Sequence, residues 1–293
     1  MFSNSSINHY ISEPINTWGM LMKKYQVIFA FLFAFILNNC NSDNGNDPIN
    51  GKSYPASVNF EWEYNTTANI DYYDSSGGID STQTIDLGNT IVRITGVNQS
   101  LNGYSDLIKF VSFDVSSPYS TTDWYENKAD GFYSVAYQTA GAAQPVMPKY
   151  TSGRRYYNLN DLKRIFTTPG FNLFLNKVTD DSIRFYDSPR KVLAYPIQIG
   201  NSWNELKTPF MRDRIITTQK NITVNGTNYN TYKIESIWDM PHTEFTDYVS
   251  MTSGLVMREI SADSLLVSTV DNPDGNGQFE KYRSVSRLVR KNF

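Results

Sequence analysis

From residue 56 onward, apolar side chains return at every second position. Val58, Phe60, Trp62 and Tyr64 alternate with Asn59, Glu61 and Glu63, and the same beat runs through 91–94 and 107–115. A period of two gives a strand one buried and one wet face. That pattern belongs to antiparallel rather than parallel sheets. The sharpest turn signal is Asn225-Gly226, set between Ile222-Thr223-Val224 and Thr227-Asn228-Tyr229. Asn-Gly supplies the two positive φ angles of a type I′ hairpin turn, so 214–224 and 227–238 are expected to form a long ribbon. Further strands are expected at 131–138, 182–186, 192–199, 243–249, 254–260, 265–270 and 278–289. The closely spaced turn residues between them predict a mainly β fold, an antiparallel half-barrel or sandwich. One short helix is expected near 158–168. Asn158 or Asn160 would cap it, Leu159, Leu162, Ile165 and Phe166 would share a face, and Thr168-Pro169-Gly170 would end it. A Gly/Ala/Pro-rich stretch at 139–153 either divides an N-terminal β unit (55–140) from a C-terminal one (154–293) or crosses within one continuous domain.

The chain ahead of this body has a different character. Lys23 and Lys24 precede an unbroken apolar run from Val27 to Leu37, followed by Asn38, Asn39 and Cys40. A positive n-region and an apolar h-region of this length read as a secretion leader, too short for a stable span of about 20 residues. Cys40 is the sole cysteine among 293 residues, which excludes a disulfide framework or a multi-cysteine zinc site. The arrangement resembles a bacterial lipoprotein signal, with Leu37 at the apolar position three before the cysteine. That resemblance implies a signal peptide at 20–39, cleavage before Cys40 and lipidation of Cys40, with palmitate among the acyl chains. Asn39 departs from the small residue usual just before the cysteine. Residues 1–19 are read as a mis-assigned start or an extension. The run Asn41-Ser42-Asp43-Asn44-Gly45-Asn46-Asp47-Pro48 is too polar to bury itself, so 40–54 is read as a flexible tether. The expected location is the bacterial cell envelope, lipid-anchored at the outer membrane.

The C-terminal half carries three further pieces: Tyr195-Pro196 with Gly200-Asn201-Ser202-Trp203, the ribbon around Asn225-Gly226, and Tyr248-Val249 leading to Gly254-Leu255-Val256 and Glu259. Together they resemble uncharacterised bacterial lipoproteins and, more distantly, the lipoprotein carriers and outer-membrane receptors of the Lol system. That resemblance implies a curved antiparallel sheet around an apolar concavity and supplies no catalytic residue. Ile222, Val224, Tyr229, Tyr232 and Ile234 are the expected lining of that concavity, with Trp203 and Trp238 beside them and the helix near 158–168 as its plug.

Composition and motifs narrow the chemistry. With 26 Lys+Arg against 29 Asp+Glu, net charge −3, the chain lacks the electrostatic footprint of a nucleic-acid binder. His242 could be grouped with Ser250 or Ser253 and Asp239 or Asp247, but no Gly-x-Ser-x-Gly elbow surrounds these serines. Asp271-Asn272-Pro273-Asp274-Gly275-Asn276-Gly277 has a calcium-loop look, yet Arg283 stands where the bidentate Glu belongs. Asp180-Asp181 and Glu61/Glu63 are carboxylate pairs of the kind a glycan hydrolase uses across a cleft. Arg154-Arg155 and Arg283, Arg287, Arg290 and Lys291 form small basic clusters, read as surface charge. Tyr72-Tyr73, Trp124-Tyr125, Phe132-Tyr133 and Tyr156-Tyr157 should each place one ring inward and one outward, as core filling or as a platform for sugars or apolar ligands. No metal or cofactor is expected. The expected function is a non-enzymatic binding or structural module of the envelope, with membrane lipid, an envelope protein, a glycan or an apolar ligand as partners. The alternatives are an apolar-ligand or lipoprotein carrier, or a cell-envelope glycan hydrolase.

Overall fold

The structure, a computed structural model, describes residues 53–74, 76–115, 120–139, 149–151, 154–157, 182–207, 211–238, 243–267 and 279–293. All of them belong to one compact unit, 47–293. The described residues are all-β. The strands are β1 (Glu61–Tyr73), β2 (Ile79–Leu101), β3 (Tyr104–Asp114), β4 (Ser120–Lys128), β5 (Gly131–Thr139), β6 (Lys149–Thr151) and β7 (Arg154–Tyr157). They continue as β8 (Arg184–Ala194), β9 (Ser202–Leu206), β10 (Arg212–Val224), β11 (Thr227–Trp238), β12 (Thr243–Ser250), β13 (Gly254–Val267) and β14 (Phe279–Lys291). The position expected for a helix, 158–168, lies outside the described residues.

Twelve strands follow one another in the order β8-β5-β4-β3-β2-β1-β14-β13-β12-β11-β10-β9, and every neighbouring pair is antiparallel. The small hairpin β6–β7 joins this sheet through a parallel pairing of β7 with β13. The order curls until its two ends, β8 and β9, face each other, so the sheet is nearly closed into a barrel. Strands from both sides of residues 139–153 share this one sheet, because β1 pairs with β14 along its length. The strand expected at 182–186 and the start of the one expected at 192–199 are one continuous strand, β8, which ends at Ala194, so 195–199 are not strand; 254–260 and 265–267 are likewise one strand, β13, carrying a bulge between Ala262 and Leu265. Asn225 (φ 49) and Gly226 (φ 78) make the expected hairpin turn.

Directly paired residues of an antiparallel ladder share a face, so the register identifies the inside. Tyr64 pairs with Leu288, Thr66 with Ser286, and Ser286 with Arg258. Arg258 pairs with Asp247 and Asp247 with Ile234. Near one end the interior is packed with rings. Trp62, Tyr64, Phe110, Tyr125 and Phe132 join Val92, Ile94, Val192, Ile216, Ile234, Val249 and Leu255 in one buried cluster. Tyr125 stacks on Phe132 at 4.8 Å, and Trp62 on Phe110 at 6.0 Å.

Tyr54, ahead of β1, inserts into this end. Its ring stacks on Phe132 at 4.9 Å, its hydroxyl accepts the Leu255 N–H at 3.2 Å, and its own N–H donates to the Tyr195 hydroxyl at 2.6 Å. Phe60 and Phe293 stack at 4.0 Å beside it. The concavity is therefore plugged at this end, by rings and by the segment entering β1.

The expected lining is corrected in part. Ile234 and Trp203 do belong to the interior cluster. Ile222 and Val224 instead pack on Tyr248, Val256 and Met257, with Val285 alongside, on the outer face of the barrel. A register shift between Ile216 and Thr218 changes the alternation within β10, and the ribbon tip folds back until Asn225 Nδ2 reaches the Val289 carbonyl at 3.5 Å. One bulged residue moves all later side chains to the other face, which the alternating pattern alone does not reveal.

Candidate functional site: a charged layer inside the barrel

Beyond the ring cluster, the inward face turns from apolar to ionic. Arg212 and Arg214 alternate with outward residues on β10 and precede Ile216 on the same face. Asp247 lies between Phe245 and Val249 on the inward side of β12, and Arg258 faces it from β13. Arg190 on β8 and Glu205 on β9 come from the two facing edges. All six are at most 4% exposed. The layer is followed by a second apolar band of Ile260, Ala262, Ala68, Ile70 and Tyr282.

The contacts are dense. Glu205 accepts from three guanidiniums: Arg190 at 3.1 Å through Oε1, Arg212 in a short bond to the same oxygen, and Arg214 at 3.1 Å through Oε2. Asp247 accepts from Arg214 at 2.7 Å and from Arg258 at 2.7 and 3.0 Å. The ring of Phe245 lies 4.4, 4.9 and 5.6 Å from the guanidinium carbons of Arg258, Arg214 and Arg212. Cation–π attraction of this kind is worth about 2 kcal/mol when desolvated. Arg190 also donates to the Tyr186 hydroxyl at 3.2 Å. Arg214 Nε is buried with no hydrogen-bond acceptor among the described residues, a state that costs about 1–3 kcal/mol for an unmade bond.

The electrostatics are those of a tightly shared set. Burial alone would raise the Glu205 carboxyl; Arg212, Arg214 and Arg190 overcome burial and hold it below its usual value of 4.5. Asp247 is likewise held below 3.8, with burial opposed by Arg258 and Arg214. Burial pushes the Arg212 guanidinium down to about 9, and Arg190 and Arg214 add to that fall while Glu205 opposes it. A carboxyl with a lowered folded-state pKa contributes stability above its unfolded pKa and loses it as pH falls through the folded value. The layer's contribution to stability is therefore expected to be complete above the ordinary carboxyl range and to fall away only as pH drops below it, followed by tryptophan fluorescence during an acid titration. An unfolding midpoint above pH 5 would contradict ionised carboxylates in this layer.

The layer lies behind a seam. Among the described residues no backbone ladder joins β8 to β9; side chains close the gap. Arg190 bridges to Glu205, and Trp203 Nε1 donates to the Lys191 carbonyl at 2.7 Å.

The residues singled out by sequence are placed differently. Cys40, His242, Asp239, Asp180-Asp181 and Asp271–Gly277 lie outside the described residues. Asp247 is committed to two arginines, and the Ser253 carbonyl accepts the Trp62 indole N–H at 2.7 Å. Glu61 and Glu63 sit on the outer face, not across a cleft: Arg93 and Arg290 bind Glu61, and Arg290 also binds Glu63 at 2.9 Å. Arg283 pairs with Asp71 at 2.7 Å. Phe132 points in, while the Tyr133 hydroxyl binds Asp130 on the outside, as alternation requires. Tyr125 points in and Trp124 out, where Leu107, Val135 and Ala136 cover it. Among the described residues no group of three or more His, Cys, Asp or Glu is placed to hold a metal ion. No helix among the described residues is long and apolar enough to cross a membrane.

Sequence reasoning missed the four buried arginines. The signal was present: Arg212, Arg214 and Ile216 share one parity, and Phe245, Asp247 and Val249 share another. Charges in step with core residues mark an inward ionic layer, but a sequence read for catalytic motifs passes over them. No family model, no curated protein and no solved structure matches this chain.

Proposed function

We propose that this chain is a lipid-anchored lipoprotein of the bacterial cell envelope, held through an acylated Cys40 at the outer membrane, and that its barrel acts as a non-enzymatic binding module. The observation that carries the reading is Tyr54. Tyr54 lies shortly after the polar run that follows Cys40 and is packed among Trp62, Phe110 and Phe132. A tether ending at a sealed, ring-packed end would leave the opposite end facing away from the membrane. Rings fill the apolar half of the interior, which favours binding at polar groups over carriage of an acyl chain. The paired Glu61 and Glu63, on an outer face, favour binding over glycan hydrolysis.

Replacing Cys40 with Ala is expected to move the protein from the membrane fraction to the soluble fraction and to abolish incorporation of labelled fatty acid. Retention of the Cys40→Ala protein in membranes, with no label in the wild type, would remove the anchor from this reading. One acyl chain gives only marginal binding and two or more give stable anchoring, so partial release would indicate incomplete acylation.

A further inference from the structure

We propose that the guanidinium layer behind the β8–β9 seam is a binding site for an oxyanion: a carboxylate, phosphate or sulfate group, free or at the head of a larger ligand. The inference deepens the binding-module reading and is independent of the lipid anchor. Arginine presents a planar fork of donors that matches the two oxygens of such a group, and four such forks converge here from β8, β10 and β13. Glu205 already serves three of them, so its two oxygens are crowded with donors.

Arg214 is the second observation. It is 1% exposed, its two terminal nitrogens are bound to Glu205 and Asp247, and its Nε is left without an acceptor among the described residues. Buried donors in native proteins are almost always met by protein, water or an ion. An oxyanion meeting Arg214 Nε would also sit among guanidiniums whose planes are fixed by Phe245. It would lessen the strain that drives the Arg212 guanidinium down to about 9.

The seam supplies the way in. Elsewhere around the barrel each strand is laddered to its neighbours, whereas β8 and β9 are held by the Arg190–Glu205 pair and the Trp203–Lys191 bond. Opening this gap separates side-chain contacts such as these, and breaks no backbone ladder among the described residues. Glu205, the residue on which three arginines meet, lies on that edge.

The test uses the full chain in non-ionic detergent. Sodium phosphate, sulfate and acetate are titrated against chloride at fixed ionic strength, with the melting temperature and the Arg214 Nε–Hε resonance followed together. At a hundredfold excess over Kd, at least one oxyanion is expected to raise Tm by about 5 °C or more and to shift the Arg214 resonance saturably. Phosphate or sulfate acting without acetate identifies a tetrahedral group, and acetate alone identifies a carboxylate. An Arg212→Lys variant keeps the charge and loses the fork, so its response should weaken about tenfold or more. A melting temperature that rises without movement of the Arg214 resonance is a general salt effect and overturns the site. So does an unmoved resonance in all three salts, or an unchanged response in a folded Arg212→Lys protein. None of these results bears on Cys40 acylation, so the two readings fail separately.

Discussion

Glu205→Gln is expected to destabilise the barrel by about 3–5 kcal/mol, measured by guanidinium denaturation of the full chain in detergent. Removing one partner of a buried ionic set leaves the other charges uncompensated, and that is the costly event. Here three guanidiniums lose their shared carboxylate at once, and the seam loses the charge of its Arg190–Glu205 bridge. The amide still accepts one or two hydrogen bonds, so the loss reads charge rather than shape. A companion variant sharpens the point. Glu205→Asp keeps the carboxylate on a shorter stem, so it should cost less than Glu205→Gln if charge rather than shape is what the arginines need. A loss below about 1 kcal/mol for Glu205→Gln would show that the carboxylate is not the hub of the layer.

Gly254→Ala is expected to cost about 2–4 kcal/mol, from two sources. The backbone at Gly254 has φ +77, a region that penalises a side chain by roughly 1–2 kcal/mol. The added methyl would also sit 2.7 Å from the Tyr54 hydroxyl and 3.0 Å from the Trp62 indole nitrogen. Neither ring can swing aside, since Tyr54 is stacked on Phe132 and Trp62 is bonded to the Ser253 carbonyl. A double-mutant cycle checks the steric share. Tyr54→Phe deletes the obstructing oxygen, so Gly254→Ala should cost less in that background than in the wild type. Equal costs in both backgrounds would leave φ and the Trp62 contact, not the Tyr54 hydroxyl, to carry the effect.

The legible parts of this fold are those set by local physics. Trp62 and Tyr64 announced β1 because one wet and one dry face force a period of two, although the expected alternation does not reach back to Val58, which is exposed in a turn beside left-handed Asn59; Asn225-Gly226 announced its turn through positive φ. Gly254 opened the expected hairpin for the same reason, again at positive φ. The parts not legible are set by what strands do to one another. The bulge after Ile216 exchanges the faces of the ribbon, and nothing in Thr217 or Thr218 announces it. The early half of β2, residues 79–90, went unread because most of its side chains are polar and exposed; its order comes from the ladder with β1. The strand β4 went unread because its sequence, Ser120-Thr121-Thr122-Asp123-Trp124-Tyr125-Glu126-Asn127-Lys128, shows no apolar alternation, and its order comes from the ladders with β3 and β5. The arginine layer belongs to the same group. An arginine at an inward position is stable only beside an acid contributed by another strand, and Glu205 and Asp247 become its neighbours through pairing across β9, β10 and β12.

The partnership of the first and last strands has a kinetic consequence. Trp62 pairs with Lys291, Tyr64 with Leu288, and Phe60 stacks on Phe293, so the ring-packed end is assembled from both extremities of the folded unit. Contacts so far apart in sequence carry the full entropy of loop closure before they return any stability. During synthesis β1 and β2 can meet as a hairpin, but Trp62 gains the Ser253 carbonyl and the Phe293 ring only once β13 and β14 have also been made. The barrel is therefore completed late, after its last strand is available to pair with its first. For a chain led by a secretion signal, as proposed, that delay keeps it threadable until translocation is over.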